Sequence, residues 1–363
     1  MMSPSGETIP APLIERLLHQ VKPYLRILRS TFVLVILALT SWYMGQQIFI
    51  AYTKLQTRPL TIRYDFLALA LLLDMAGMVL ISGPFAMALF DRERLIPTTH
   101  KLTWNAAAQA YLMSQIGKYV PGKAIVVVIR YMVLGRLGFS LGIVVLATFF
   151  ETLFSMSSAA LLAFLLWSFP IGPMGKSALA QIPWAWPLSL LLFVGLIAFV
   201  LPPVLALAPR ALAKINPSAR HHADNPIHWQ TIGWSFLPAL LGWSMLAASF
   251  AAVVQSVYPE PLRIDEIPTL GAVFTFSYVA GFLSMVPGHF GIREYIMDVV
   301  LRPLLDGDQL VAISATLLSR LVTLSGEILL ALIFYGLYRA TTAHIAPPNH
   351  KTTSTQGGES LDE

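Results

Sequence analysis

The sequence predicts an all-α integral membrane protein with about six full transmembrane helices plus two re-entrant helical hairpins related as an inverted repeat. Three observations carry this. Of 363 residues, 56% are hydrophobic and only 12% are Asp, Glu, Lys or Arg, with a mean hydropathy of +0.67. A soluble protein of this size could not hide that much apolar surface in a core. The apolar residues gather in runs near the roughly 20 residues needed to cross about 30 Å of hydrocarbon. Finally, Val-Pro-Gly occurs twice, each time inside an apolar stretch broken by charge.

The same composition excludes an ordinary cytosolic enzyme, a disordered regulator and a nucleic-acid partner. The 24 basic against 19 acidic residues, a net +5, read as membrane topology rather than DNA affinity. With no cysteine, disulfides, thiolate metal sites and a Cys nucleophile are ruled out.

Residues 1–29 are polar and form a cytoplasmic N-terminal segment, without the pattern of a removable targeting signal. The membrane domain spans 30–340. Full spans are expected at 30–52, 66–90, 139–169, 184–208, 231–257 and 309–338, and 341–363 is a polar tail expected to be disordered in the cytoplasm. Lys and Arg cluster in the N-terminal segment, at Arg92, Arg94 and Lys101, at Arg210, Lys214 and Arg220, and in the tail. Fewer lie on the other side, although Lys54, Arg58 and Arg63 run against the trend. This bias puts both termini in the cytoplasm of an inner (plasma) membrane. The count closes if 104–135 dips in and returns and 268–305 dips in from outside. A plain count of eight spans keeps the same termini, so charge bias does not separate the two.

The repeat is read from SQIGKYVPGKAIVVVIRYMVLGRLG (114–138) and FLSMVPGHFGIREYIMDVVLRPLLDG (282–307). Each has an apolar approach, Val-Pro-Gly and a short helix carrying Arg130 or Arg293. A long span with ionisable residues follows each, so the repeat elements cover about 104–169 and 268–338. Three full spans between the breaks make the second copy enter from the opposite face, the pattern that places a transporter's substrate near the midplane. The alternative is two proline kinks in ordinary spans.

Chemistry gives the breaks a purpose. Pro121 and Pro287 each remove a backbone donor and stop a helix, and Gly122 and Gly288 permit the turn. The helix that follows begins with unsatisfied N–H groups, which suit a phosphate oxygen. Lys118 and Lys123 flank the first break, and His289 and Arg293 follow the second. Together they would cradle a phospholipid head group. Inside the spans, Arg320 and Glu327 share a helical face with Thr316 and Thr323, while Glu151 lies near Thr148, Ser155 and Ser158. An intramembrane arginine should face protein or a watery cavity. Glu151 and Arg320 are expected to meet between the copies, either with Arg320 as a phosphate contact and Glu151 as its counter-charge or as a purely structural pair. Asp74 is expected to pair with Ser, Thr or a basic residue, or to relay protons.

Trp42, Trp167, Trp184, Trp186, Trp229 and Trp234 are expected as interface anchors. His221, His222 and His228 lie in a loop without zinc-site spacing, and Asp306-Gly-Asp308 reads as a turn. No nucleotide-binding, hydrolase or metalloprotease motif is found. Neither enzymatic activity nor a cofactor is expected.

At Gly117-Lys118-Tyr119-Val120-Pro121-Gly122 with Arg130, Leu137-Gly138 and Glu151, the chain resembles the lysylphosphatidylglycerol synthase transmembrane-region family. The second half resembles it at Val286-Pro287-Gly288, Gly291-Ile292-Arg293-Glu294 and Arg320. The resemblance covers roughly 30–340. It implies a flippase-like protein whose partner is a membrane lipid, an anionic phospholipid or a polyprenyl-phosphate. Thr152 stands where the family usually has Arg, which leaves the local pairing of Glu151 open. The soluble aminoacyltransferase domain of bifunctional members has no counterpart here, so a complete synthase is not expected. Two other functions are kept: a membrane transferase acting on polyprenyl-phosphate sugars, dependent on Asp306 or Asp308, and a non-catalytic partner of a separately encoded lipid- or glycan-modifying enzyme.

Overall fold

A computed structural model describes residues 38–39, 41–94, 101–119, 124–169, 176, 180, 183–205, 207, 227–284, 286, 289, 291–305 and 307–343. These residues are helical throughout apart from turns. The helices are α1 (41–57), α2 (Tyr64–Ile81), α3 (Gly83–Glu93), α4 (Trp104–Ser114), α5 (Ala124–Leu134) and α6 (Leu141–Ser168), followed by α7 (Ala185–Val200), α8 (Trp229–Val257), α9 (Ile267–Leu283), α10 (Ile292–Leu304) and α11 (Gln309–Ala343). Four stretches are long and apolar enough to cross a membrane: Tyr64–Glu93, Leu141–Ser168, Trp229–Val257 and Gln309–Ala340. The protein is therefore an all-α, multi-pass membrane protein.

Local chemistry sets the boundaries. Pro84 has no N–H to offer the preceding turn, so the first long span bends at Ser82, whose hydroxyl donates to the Val79 carbonyl at 2.6 Å. Within the expected span 184–208, α7 covers 16 residues, about 24 Å of helix, and breaks at Leu201 before a separate helical turn at Pro202–Leu205; residues 206 and 208 lie outside the described residues. The expected span 30–52 is described only from residue 38, and its helix continues to 57.

The two Pro-Gly regions form pairs of short helices rather than rods. In the first, α4 and α5 have 11 residues each, about 16 Å, and pack on each other. In the second, α9 and α10 have 17 and 13 residues and likewise pack together. Close return of the chain is possible because a glycine ends each incoming leg. A Cβ on Gly117 would stand 2.9 Å from the Val126 nitrogen, and one on Gly281 would stand 2.9 Å from the His289 Cβ. The break residues Pro121, Gly122, Lys123, Pro287 and Gly288 lie outside the described residues, as do the N-terminal segment and the tail from 344.

At the centre, α2 crosses α8. A Cβ on Gly77 would stand 2.9 Å from the Gly242 carbonyl oxygen, and one on Gly242 would stand 2.8 Å from that of Gly77. Only glycine on both helices allows this backbone-to-backbone contact. The same pair is tied further along by Ser249, whose hydroxyl donates to the Ala70 carbonyl at 2.8 Å, and by the Arg63 guanidinium on the Gln255 carbonyl at 2.5 Å.

Around the crossing the helices exchange neighbours. α4 packs on α11, and α9 packs on α6. α7 also packs on α6, while α1 meets α11 through Ala51, Leu310 and Ile313. Phe85, Phe150, Phe154, Trp243 and Phe250 fill a continuous core between them. Leu72, Leu191 and Leu332 are among the apolar side chains left facing outward, as expected where the surroundings are lipid.

Candidate functional site

Between the two short-helix pairs lies a cavity of about 320 Å³. The α4–α5 pair contributes Tyr111, Gln115, Lys118 and Arg130 to its wall, and the α9–α10 region contributes Tyr278, Phe282 and His289. Thr148, Glu151, Thr152 and Ser155 of α6 form another side, and Met78, Ile81, Trp243 and Leu246 close it with apolar surface.

Arg130 is the most heavily supported group. Its Nη1 donates to Glu151 Oε2 at 3.2 Å and its Nε to Ser114 Oγ at 3.0 Å. Its guanidinium carbon lies 4.3 Å from the Phe85 ring centroid and 4.8 Å from that of Tyr111. Two aromatic faces, a hydroxyl and a carboxylate thus compensate a cation that is only 2% exposed. Glu151 also accepts from the Tyr111 hydroxyl at 3.2 Å and from Thr152 Oγ1 at 3.3 Å. This answers the open point at Thr152: a threonine hydroxyl bonds the acid locally, and the arginine comes from α5.

Lys118 projects from the 3₁₀ turn Gln115–Tyr119 and forms an ion pair with Glu327 of α11. His289 is buried at the second break with φ of 60°, a left-handed conformation uncommon outside glycine. Its ring meets Tyr278 edge-on, with centroids 5.3 Å apart.

The remaining charged residues sit behind the wall. Arg293 lies over the rings of Phe274 and Tyr278 and donates to Ser319 Oγ at 3.0 Å. Glu294 closes the first turn of α10 by accepting the Gly291 N–H at 2.7 Å, and it pairs with Arg320 at 3.4 Å. The expected meeting of Glu151 with Arg320 is therefore corrected. The acid pairs with Arg130 and the arginine with Glu294, because each short helix packs on the long helix that follows it. Asp74 accepts from Thr323 at 3.2 Å, one of its expected partners. Trp167 is 1% exposed and so is a core residue, not an interface anchor, whereas Trp42, Trp184, Trp186, Trp229 and Trp234 are all exposed. His228 reaches Asp91 at 2.9 Å. Asp308 pairs with Arg58 and accepts the N–H of Leu310 and Val311 at the start of α11; Asp306 lies outside the described residues.

Sequence reasoning missed Tyr111, Gln115, Tyr278 and Trp243. The first two had a legible signal, since Tyr111, Gln115 and Lys118 share one helical face leading to the break. Trp243 stands mid-span, where it donates to the Ser155 carbonyl at 2.9 Å; nothing in the sequence distinguishes it from a lipid-facing tryptophan.

Among the described residues, the lysine and the arginine on the wall are each matched, Lys118 by Glu327 and Arg130 by Glu151. No curated protein matches the chain. With a match over residues 26–331, most of its length, the chain belongs to the lysylphosphatidylglycerol synthase TM region family.

Proposed function

We propose that this protein binds the phosphate-bearing head group of an anionic lipid in the cavity between the two short-helix pairs and carries it between leaflets, in a flippase-like manner. The observation that carries the reading is the cavity wall itself. Lys118, Arg130 and His289 reach one space from both Pro-Gly regions, with apolar side chains between them. Guanidinium and ammonium groups are the side chains that recognise phosphate, while acyl chains can stay in the bilayer.

The architecture behind this reading is six full spans plus two re-entrant hairpins, with copies in opposite orientation. Its support is the exchange of neighbours: α4 on α11 is answered by α9 on α6, α1 on α11 by α7 on α6, and α2 meets its counterpart α8 glycine to glycine. Transporters of this kind move a substrate by rocking one copy against the other. The distribution of Lys and Arg supports a cytoplasmic position for both termini at the inner membrane. Because the chain has no cysteine, Ser3→Cys and Ser360→Cys can be labelled without background. Both should react with an impermeant maleimide only from the cytoplasmic side.

We read the protein as a carrier rather than an enzyme. Asp308, on which the transferase alternative depends, is engaged in starting α11 and pairing with Arg58. The test is transport by the full chain in proteoliposomes holding a fluorescent phosphatidylglycerol in both leaflets. An impermeant reductant should bleach nearly all fluorescence with the wild type, and Arg130→Gln should slow this by about tenfold or more, the worth of one charged hydrogen bond. Bleaching that stops at the outer leaflet in the wild type would refute the reading.

A further inference from the structure

Behind Lys118, the contact between α2 and α11 buries two carboxyl groups, Asp74 at 2% and Glu327 at 1% exposure. One oxygen of each is engaged: Asp74 Oδ1 accepts from Thr323, and Glu327 Oε1 accepts from Lys118. The second oxygens, Asp74 Oδ2 and Glu327 Oε2, are buried and have no hydrogen-bond donor among the described residues. Gly326 brings the two acids together, since a Cβ there would stand 2.6 Å from Asp74 Oδ2. The charged groups that surround Asp74 are Glu327, Arg293 and Lys118. Lys118 in turn faces Glu327, Tyr278 and Tyr119.

Two buried carboxylates of which only one is paired with a cation are unfavourable when both are ionised, and such pairs relieve the repulsion by sharing a proton. A proton suits the place better than a metal ion, because only two oxygens remain, against the roughly six to eight a hard cation such as Ca²⁺ takes. We propose that Asp74 and Glu327 form a proton-binding site coupled to the cavity through Lys118. The coupling to lipid rests on the head-group reading above. When an anionic head group draws the Lys118 ammonium off Glu327, the acid pair takes one proton from water onto a carboxylate oxygen. When the head group leaves, that proton returns to water and Lys118 returns to Glu327. Lys118 stays protonated throughout, so one proton moves per head group. By linkage, the site's affinity for an anionic head group then rises as pH falls.

Infrared difference spectroscopy of the full chain in nanodiscs tests this through the C=O stretch of protonated carboxyl groups. In phosphatidylcholine nanodiscs at neutral pH, Lys118→Met should show one more protonated carboxyl than the wild type, and adding Asp74→Asn or Glu327→Gln should remove it. No gain in Lys118→Met overturns the proton site. Transfer of the wild type from phosphatidylcholine to phosphatidylglycerol needs no substitution and should produce the same gain. If Lys118→Met gains the band and phosphatidylglycerol does not, the coupling to the head group is overturned while the acid pair stands.

Discussion

The two Pro-Gly regions use one backbone device with opposite charge layouts. In the first, the short helix α5 supplies the arginine and the following helix α6 the acid, Arg130 with Glu151. In the second, the short helix α10 supplies the acid and α11 the arginine, Glu294 with Arg320. The first pair lines the cavity; the second lies behind it, where Glu294 also closes the first turn of its helix. The comparison teaches that two regions with the same helix pattern need not carry the same ion pair in the same role. The first region presents its ion pair to the cavity, and the second ties its short helix to the long helix that follows.

Double substitutions can break that division of labour. Arg130→Ala and Arg320→Ala should each cost about 3–5 kcal/mol, because each strands a buried carboxylate; loss of thermal stability in detergent checks this. Removing the acid as well should restore most of the stability in both regions, through Arg130→Met with Glu151→Gln and through Arg320→Met with Glu294→Gln. Lipid movement should return only in the second double variant. Recovery of transport in both would erase the distinction between the copies. Next in size, Gly77→Ala and Gly242→Ala should cost about 1–3 kcal/mol each as overpacking. Gly242→Ala should cost the more, since its Cβ would meet Ile81 Cγ1 at 2.6 Å as well as the Gly77 oxygen at 2.8 Å, against 2.9 Å to the Gly242 oxygen for Gly77→Ala; a larger drop in melting temperature for Gly77→Ala would argue against this contact. Tyr111→Phe removes one donor to Glu151 and should cost about 1 kcal/mol, with reduced transport. The smallest effect belongs to Arg58→Ala at the exposed pair with Asp308, about 0–1 kcal/mol and abolished by salt.

Much of this was legible in the sequence. Four of the six expected spans, 66–90, 139–169, 231–257 and 309–338, coincide with long apolar helices, and the proline-glycine breaks fall between paired short helices, because both signals are local. Lys118, Arg130 and Glu151 could be singled out since charge inside an apolar run is conspicuous. Their partners could not be assigned. Whether Glu151 meets Arg130 or Arg320 depends on which helix packs on which, and the sequence marks both arginines alike. Trp167 looked like an anchor from its place near a span end, yet α7 and α9 pack on α6 and bury it. The α2–α8 contact was equally hidden, because Gly77 and Gly242 become informative only when their backbones touch.

The exchange of neighbours has a consequence for how the chain is made. Lys118 enters the membrane 209 residues before the glutamate that neutralises it. At about 5–20 residues per second, that is roughly 10–40 s of synthesis with a bare ammonium and the α11-facing side of α4 uncovered. Premature termination anywhere upstream of α11 therefore damages the N-terminal half as surely as the C-terminal one, and a quality-control protease would find its signal in the part of the protein that was made first.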